Sequence, residues 1–432
     1  MSQSGLTRDG ESPALQRGFD VTDPDLYAHG IPFDEFSRLR RSAPVWWNTQ
    51  PPGVGGFDDD GFWVVSKHGD VRDVSRRSDV FSSARRGAIP RLEDGISPEE
   101  FQATLSVLIS TDAPEHTVLR GLVSRLFTPR AIDGLRPIME ERAERIVHAA
   151  LEGGQGEFVR EVASELPMQA IADLIGVPEE DRVKLFEWSN QMTGYDDADI
   201  EVDSRVGAAQ ILGYAYQLAD QRRQCPSDDI LSRLVSGTID GEHLTPEQFG
   251  YFVIMLSVAG NETTRNATTM GMMAFLEHPD QWELFKRERP ATAVDEIVRY
   301  VCPLLCLQRT AVRDTTVGGT PISAGQRVVM LYSSANFDED VFDDPQRFDI
   351  TRNPNPHLGF GGTGAHYCLG ANLAKVELEL IFNKIADHMP DISALGQQPT
   401  RFRSGWINGI KRFDTQYCPV AGQRDECEEG CR

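Results

Sequence analysis

The 432-residue sequence predicts a mainly α-helical fold with small β-sheets, gathered as a single compact unit around one long central helix. Three observations carry that expectation. Residues 114–276 hold a mainly helical pattern. Within it, Thr245-Pro246-Glu247-Gln248 reads as a helix start: Thr245 can cap, Pro246 suits the first helical position and Gln248 completes a capping box. The run at residues 251–259 is apolar on nearly every face, so the helix continuing to about Leu276 is expected to be central and buried. Strand-like stretches are few and short, and no internal repeat or low-complexity linker divides the chain.

The elements follow in order. Residues 1–20 form a polar arm, expected to be flexible. PVWW at 44–47 and FWVV at 62–65 flank the turn-rich PPGVGGFDDDG and predict a hairpin with a long loop. Residues 84–110 scatter Gly and Pro through mixed sequence and read as a functional loop. After the central helix, His278-Pro279 marks a stop; helices are expected at 280–288 and 291–301, divided by Pro290 and ended by Pro303. Strands at 309–312 and 327–331, a turn-rich stretch at 336–360 and a strong last helix at 371–388 complete the chain.

Apolar residues make up 40% and charged residues 25%, as in ordinary soluble globular proteins. The net charge of −23 repels nucleic acid and anionic membranes and tolerates a neutral apolar ligand. The start, MSQSGLTRDGESPALQ, lacks an apolar signal region, and no run of about 18 apolar residues occurs. A cytoplasmic protein without a membrane span is expected. Seven cysteines, at 225, 302, 306, 368, 418, 427 and 431, argue against a disulfide framework, being odd in number in a long chain. Cys302/Cys306 and Cys427/Cys431 have no nearby histidine to complete a zinc site and are read as free thiols.

One cysteine stands apart. FGGTGAHYCLG at 360–370 places Cys368 among glycines and directly ahead of the last helix. Glycines at 361, 362, 364 and 370 let the backbone fold tightly and aim N–H groups at sulfur, and the helix dipole faces it. Burial raises a thiol's pKa; a metal, N–H donors or a helix N-terminus lower it, and Cys368 has the means for the second outcome. A thiolate is a strong donor to iron, and Gly370 allows a flat partner to lie close, a combination that suits haem. A glycine loop that happens to hold a buried cysteine, or an anion-binding loop, would look similar, but neither accounts for the rest of the chain.

Gly-x-His-x-Cys-x-Gly at 364–370 resembles the haem-binding loop of the cytochromes P-450, with Phe360 eight residues before Cys368 where the family usually has seven. The resemblance implies the cytochrome P-450 fold, haem b (iron protoporphyrin IX) as cofactor and Cys368 as its iron ligand. It divides the chain into the arm, a haem domain at 21–420 and an acidic tail at 421–432. Glu296-Ile297-Val298-Arg299 is an E-x-x-R pair on one helical face; in the family such a pair ties its helix to the segment before the cysteine loop, here FDDPQRF at 342–348. Ala259-Gly260-Asn261-Glu262-Thr263-Thr264 interrupts the central helix with a glycine costing about 1 kcal/mol against alanine, and with a hydroxyl able to bond back to a carbonyl four residues earlier. It matches the family's oxygen-activation motif. The match implies that Thr263 organises water at the oxygen and that Glu262 relays protons. His116 and Arg120, four apart on one face, with Arg309 and His366, resemble the groups that grip haem propionates. Arg120, Arg125 and Arg130 lie in a stretch without acids and read as a docking patch for an acidic redox partner.

Within the family, the chain is similar to the actinobacterial steroid C26-monooxygenases at WWN (46–48), GFW (61–63), FSS (81–83), AGNETTRN (259–266), EHPDQWEL (277–284), NPNPHLGFGGTGAHYCLGANLA (353–374) and RSGWINGIK (403–411). That similarity implies hydroxylation of the terminal side-chain methyl (C26/C27) of cholesterol or cholest-4-en-3-one, using O2. It implies that Ile89, Pro90, Val258, Leu304, Leu305 and Trp406 line an apolar tunnel. No flavin or iron–sulfur segment is present, so electrons are expected from a separate ferredoxin and ferredoxin reductase. A biosynthetic monooxygenase for a macrolide, terpenoid or fatty acid is the alternative on this scaffold; a non-enzymatic haem-thiolate sensor would not need the acid–alcohol pair.

Overall fold

The longest helix begins where its capping signature sets it. Thr245 Oγ1 accepts from Gln248 N–H at 3.1 Å, and Gln248 Oε1 accepts from Thr245 N–H at 3.0 Å. From there 32 residues run unbroken from Pro246 to Glu277, about 48 Å at 1.5 Å per residue. The computed structural model describes residues 15, 18–200, 203–225, 238–239, 242–243, 245–396 and 398–417. Most of the expected N-terminal arm, and the acidic tail with Cys418, Cys427 and Cys431, lie outside the described residues.

In chain order the helices are α1 Phe33–Ser42, α2 His68–Arg76, α3 Pro98–Thr104, α4 Glu115–Ser124, α5 Pro129–Gly153, α6 Glu165–Ile175, α7 Arg182–Thr193, α8 Ser204–Gln224, α9 Pro246–Glu277, α10 Pro279–Glu288, α11 Ala293–Val301, α12 Tyr332–Ala335 and α13 Ala371–His388. The strands that concern the site are β1 Val45–Thr49, β2 Gly61–Val65, β3 Phe81–Ser82, β4 Gln155–Glu157, β5 Thr238–Ile239, β6 Glu242–His243, β7 Cys306–Ala311, β8 Thr315–Val317, β9 Thr320–Ile322 and β10 Arg327–Leu331. Three differences from the sequence reading have local causes. The loop at 84–110 contains α3, set by a second capping box, Ser97 with Glu100. The helix expected from 291 starts at Ala293. Strand β7 starts three residues ahead of the expected 309, because Leu331↔Cys306 already pairs in the β10 register. Among the described residues no helix is long and apolar enough to cross a membrane.

Helix α9 is the axis of the fold, with α6, α7, α8, α11 and α13 packed around it. Such a helix must satisfy its polar side chains internally. Ser257, Thr263, Thr268 and Thr269 each donate a hydroxyl hydrogen to the carbonyl four residues back, at 2.7–3.0 Å. At its C-terminal end Phe275 packs on Trp282, Phe285, Phe348 and Phe382, with ring centroids 5.0–5.5 Å away. Burial of each such ring contributes about 1.5–3 kcal/mol.

The main sheet has five strands in the order β1-β2-β10-β7-β3. The predicted hairpin forms, with Val45 opposite Val65 and Trp47 opposite Trp63. Both faces are covered: Trp63, Val65, Val328 and Met330 face one apolar cluster, and Phe62, Val64, Val329 and Leu331 the other. The E-x-x-R pair is fully buried, and Arg299 Nε and NH2 each reach a Glu296 oxygen at 2.8 Å. The guanidinium also donates to the carbonyls of Asn336 (2.9 Å), Pro345 (2.8 Å) and Arg347 (3.2 Å). Glu296 accepts from Asp349 N–H at 2.9 Å. Helix α11 is thereby fastened to the turn-rich segment ahead of the cysteine loop.

Candidate active site

The loop before α13 is closed on itself by Cys368 N–H donating to the Phe360 carbonyl at 3.0 Å. Its glycines are used for contact: Gly364 has φ 148°, and a Cβ there would stand 2.4 Å from the Ser75 carbonyl oxygen of α2. This turn delivers Cys368 to the head of α13, where the N–H groups of Gly370 and Ala371 bond to its sulfur. Burial nevertheless pushes the thiol up, and the Gly370 N–H, the Arg120 guanidinium and the Ala371 N–H only partly oppose it. A metal cation against the sulfur would reverse that balance.

The sulfur opens into a cavity with about 1400 Å³ of atom-free space, mouth included. The opposite wall is α9, contributing Ala259, Gly260, Thr263, Thr264 and Ala267. Thr263 Oγ1 is bonded to the Ala259 carbonyl at 2.8 Å, the back-bond its spacing predicts. Gly260 serves close packing: a Cβ there would meet Ile171 Cδ1 of α6 at 2.4 Å. Glu262, one residue before Thr263, is buried against Arg265 (2.6 Å) and Asn266 (3.4 Å), and its Oε1 has no hydrogen-bond partner.

Along one side the expected cationic groups converge. The rings of His116 and His366 lie 4.1 Å apart, and both border the cavity with Arg120. Arg120 NH2 donates to the Tyr367 carbonyl at 2.6 Å. Arg309 is buried, donates to the Gln308 carbonyl at 2.7 Å and has no carboxylate within ion-pair distance among the described residues. Burial and the neighbouring guanidiniums hold both imidazoles below the usual histidine range. His116 Nε2 is buried without a partner. His116 Nε2, buried without a partner, and the guanidiniums beside it are groups that a bound dicarboxylate would satisfy.

The residues expected along a substrate tunnel separate. Leu304 borders the cavity and packs, with Ile89 and Ile109, against one sheet cluster. Leu305, its neighbour in extended chain, points to the other side and is fully buried with Phe36, Phe62 and Val329. Trp406 packs on that second cluster, and its indole N–H donates to Tyr195 Oη at 2.7 Å. Pro90 is buried and Val258 half-buried, and neither borders the cavity. The aliphatic wall comes instead from Leu108, Ile109, Ile171, Met255 and Leu256, which the sequence reading did not single out. It also missed Glu377, a buried carboxyl on the cavity wall that receives a hydrogen bond from the Thr264 hydroxyl. The signal was present: Glu377 sits four residues after Leu373 and four before Ile381, on the apolar face of α13.

A flat ligand with two carboxylates and a metal at its centre matches all three walls: sulfur on one face, the small residues of α9 on the other, cations at the edge. Fold and site together define a haem-thiolate protein whose cavity also carries an aliphatic wall. A cytochrome P-450 family profile matches residues 291–388. The chain is 62% identical over 410 residues to the steroid C26-monooxygenase of Rhodococcus jostii strain RHA1, covering 95% of this chain and 87% of that one. It is 41% identical over 389 residues, 87% and 89% of the two chains, to the methyl-branched lipid omega-hydroxylase of Mycobacterium tuberculosis strain H37Rv. A Mycobacterium marinum cytochrome P-450 solved with pseudoionone superposes with a TM-score of 0.87 at 34% identity, covering 92% of this chain and 98% of the other. The chain belongs to the cytochrome P-450 family. It is an oxidoreductase of the monooxygenase type, and its cofactor is haem b.

Proposed function

We propose that this enzyme hydroxylates the terminal side-chain methyl (C26/C27) of cholesterol or cholest-4-en-3-one. The observation that carries the reading is the 62% identity to a steroid C26-monooxygenase across 95% of the chain. The geometry supports it through the aliphatic wall of Leu108, Ile109, Ile171, Met255 and Leu304 beside the Thr263 face of α9. The overall reaction is RH + O2 + 2e⁻ + 2H⁺ → ROH + H2O. Haem, when bound, supplies oxygen activation and its transfer to carbon.

The chain's own residues do the rest. Cys368 would hold the haem iron through its sulfur, supported by the Gly370 and Ala371 N–H groups. His116, Arg120 and His366, with buried Arg309 behind them, would hold the propionates, while Ala259, Gly260, Phe360 and Gly370 shape the slot. Thr263, whose hydroxyl donates to the Ala259 carbonyl, would order the water that brings protons to the reacting oxygen. Glu262, ion-paired with Arg265 through Oε2, would relay protons through its unpartnered Oε1. A ferredoxin, reduced by its reductase, delivers electrons; exposed Arg125 and Arg130 suit an acidic partner.

The test is an optical titration of the haem-loaded ferric protein with cholest-4-en-3-one, using a methyl-branched fatty acid for comparison. A Soret shift toward the high-spin position with the steroid, followed by a terminally hydroxylated product on turnover, is expected. A steroid-silent haem that responds to the fatty acid would move the substrate to another lipid.

A further inference from the structure

Far from the cavity, helices α5 and α13 run side by side and are joined along their seam by charged side chains. Arg136 grips Glu379 with two bonds, at 3.1 and 2.8 Å. Further along, Lys384 reaches Glu140 at 3.3 Å and Glu144 Oε2 at 2.7 Å. At the end of the seam three groups converge. His148, one turn after Glu144 on α5, brings Nε2 to 3.0 Å from Glu144 Oε1. His388, the last residue of α13, brings its own Nε2 to 2.8 Å from the same oxygen. The two rings are 4.5 Å apart and tilted by 51°. All three ligand atoms lie within 4.8 Å of one another.

We propose that Glu144, His148 and His388 bind a divalent transition-metal ion of the zinc type, with water completing a tetrahedral shell. Two imidazoles and one carboxylate are a donor set that zinc takes, at about 2.0–2.2 Å per ligand. Tetrahedral bonds of that length separate ligand atoms by roughly 3.3 Å, so the observed 2.8 and 3.0 Å need to open by only a few tenths. The ligands come from two helices that are already packed, so little ordering is required. Lys384 holds Glu144 Oε2 and thereby turns Oε1 toward the imidazoles, the orienting role of a second-layer partner. The site is reachable: the side chains of Glu144, His148 and His388 are 34%, 46% and 27% exposed. Metal in this position clamps the C-terminal end of α13 to α5, and α13 is the helix whose first turn holds the Cys368 sulfur.

The test uses the haem-loaded full chain, its Soret band reporting that each variant is folded. Zinc sulfate is titrated in competition with a chromogenic chelator against wild type, His148→Ala and His388→Ala. One saturable equivalent is expected in wild type, with affinity falling by about tenfold or more in each variant. Zinc should also raise the thermal midpoint of wild type and leave those of the variants where they were. Zinc uptake that is the same in all three proteins would place the ion elsewhere, on the free cysteines, and overturn the proposal. Absence of a saturable equivalent in wild type would overturn it too. Neither result depends on which substrate the enzyme takes.

Discussion

Replacing Glu377 with glutamine tests whether the cavity wall carries a neutral acid. Glu377 is 2% exposed, its Oε1 has no partner, and burial pushes its carboxyl up to about 8. In the unfolded chain a glutamate titrates near 4.3. Between those values the folded protein keeps a proton that the unfolded chain has released, so stability declines as pH rises. The contribution is complete below the unfolded value and has been lost once pH passes the folded one. The slope is about 1.4 kcal/mol per pH unit, or roughly 4 kcal/mol between pH 5 and pH 8. At about 2.1 cal/mol/K per residue, 432 residues give an unfolding entropy near 0.9 kcal/mol/K. The expected effect is therefore about 4 °C. Glutamine has the same shape and no proton to lose, so Glu377→Gln should escape this decline. Scanning calorimetry of the two haem-loaded proteins should show the midpoint gap widening by about that amount in the variant's favour from pH 5 to pH 8. A gap that stays constant would mean that the carboxyl is already ionised, and the argument from burial would fail.

Five other substitutions test the remaining assignments. Arg299→Leu strands the buried Glu296 carboxylate and should cost about 3–5 kcal/mol, read as a lower denaturation midpoint; an unchanged midpoint would show the pair to be dispensable. Thr263→Ala should keep haem content and oxygen consumption while product per oxygen consumed falls severalfold; full coupling would remove Thr263 from proton delivery. Leu304→Trp should weaken steroid binding at least tenfold with haem retained, whereas Leu305→Trp overpacks the far cluster and should cost about 1–3 kcal/mol of stability instead; equal effects on binding would contradict the placement of the two leucines. Arg125→Glu should raise the apparent KM for ferredoxin severalfold, more at low salt than at high; no change would place the docking surface elsewhere.

Much of the architecture was legible because local rules agreed with the fold. Thr245 and Gln248 fixed the start of α9, and its all-round apolar stretch announced a buried axis. The grouping of Cys368, Thr263, His116, Arg120 and His366 around one cavity also followed from motifs whose spacing suits their elements. What failed was sidedness. Leu304 and Leu305 are equally apolar, and only the folded chain tells which of them borders the cavity. Glu262 likewise reads as a free acid until Arg265, one helical turn on, is seen folded against it.

The cluster of Arg309, Arg120, His116 and His366 has a consequence for how the protein comes into being. A dianion set among these groups supplies the counter-charge that the chain itself withholds. Without it, the Arg309 guanidinium sits in the interior with no ion-pair partner among the described residues and His116 Nε2 is buried without a hydrogen bond, both unfavourable. Loading and folding are thereby coupled by mass action, the bound form being the more stable in proportion to the free ligand available. The amount of intact enzyme a cell maintains then follows its haem supply, because the polypeptide leaves the charge balance of its own centre to be completed by the cofactor.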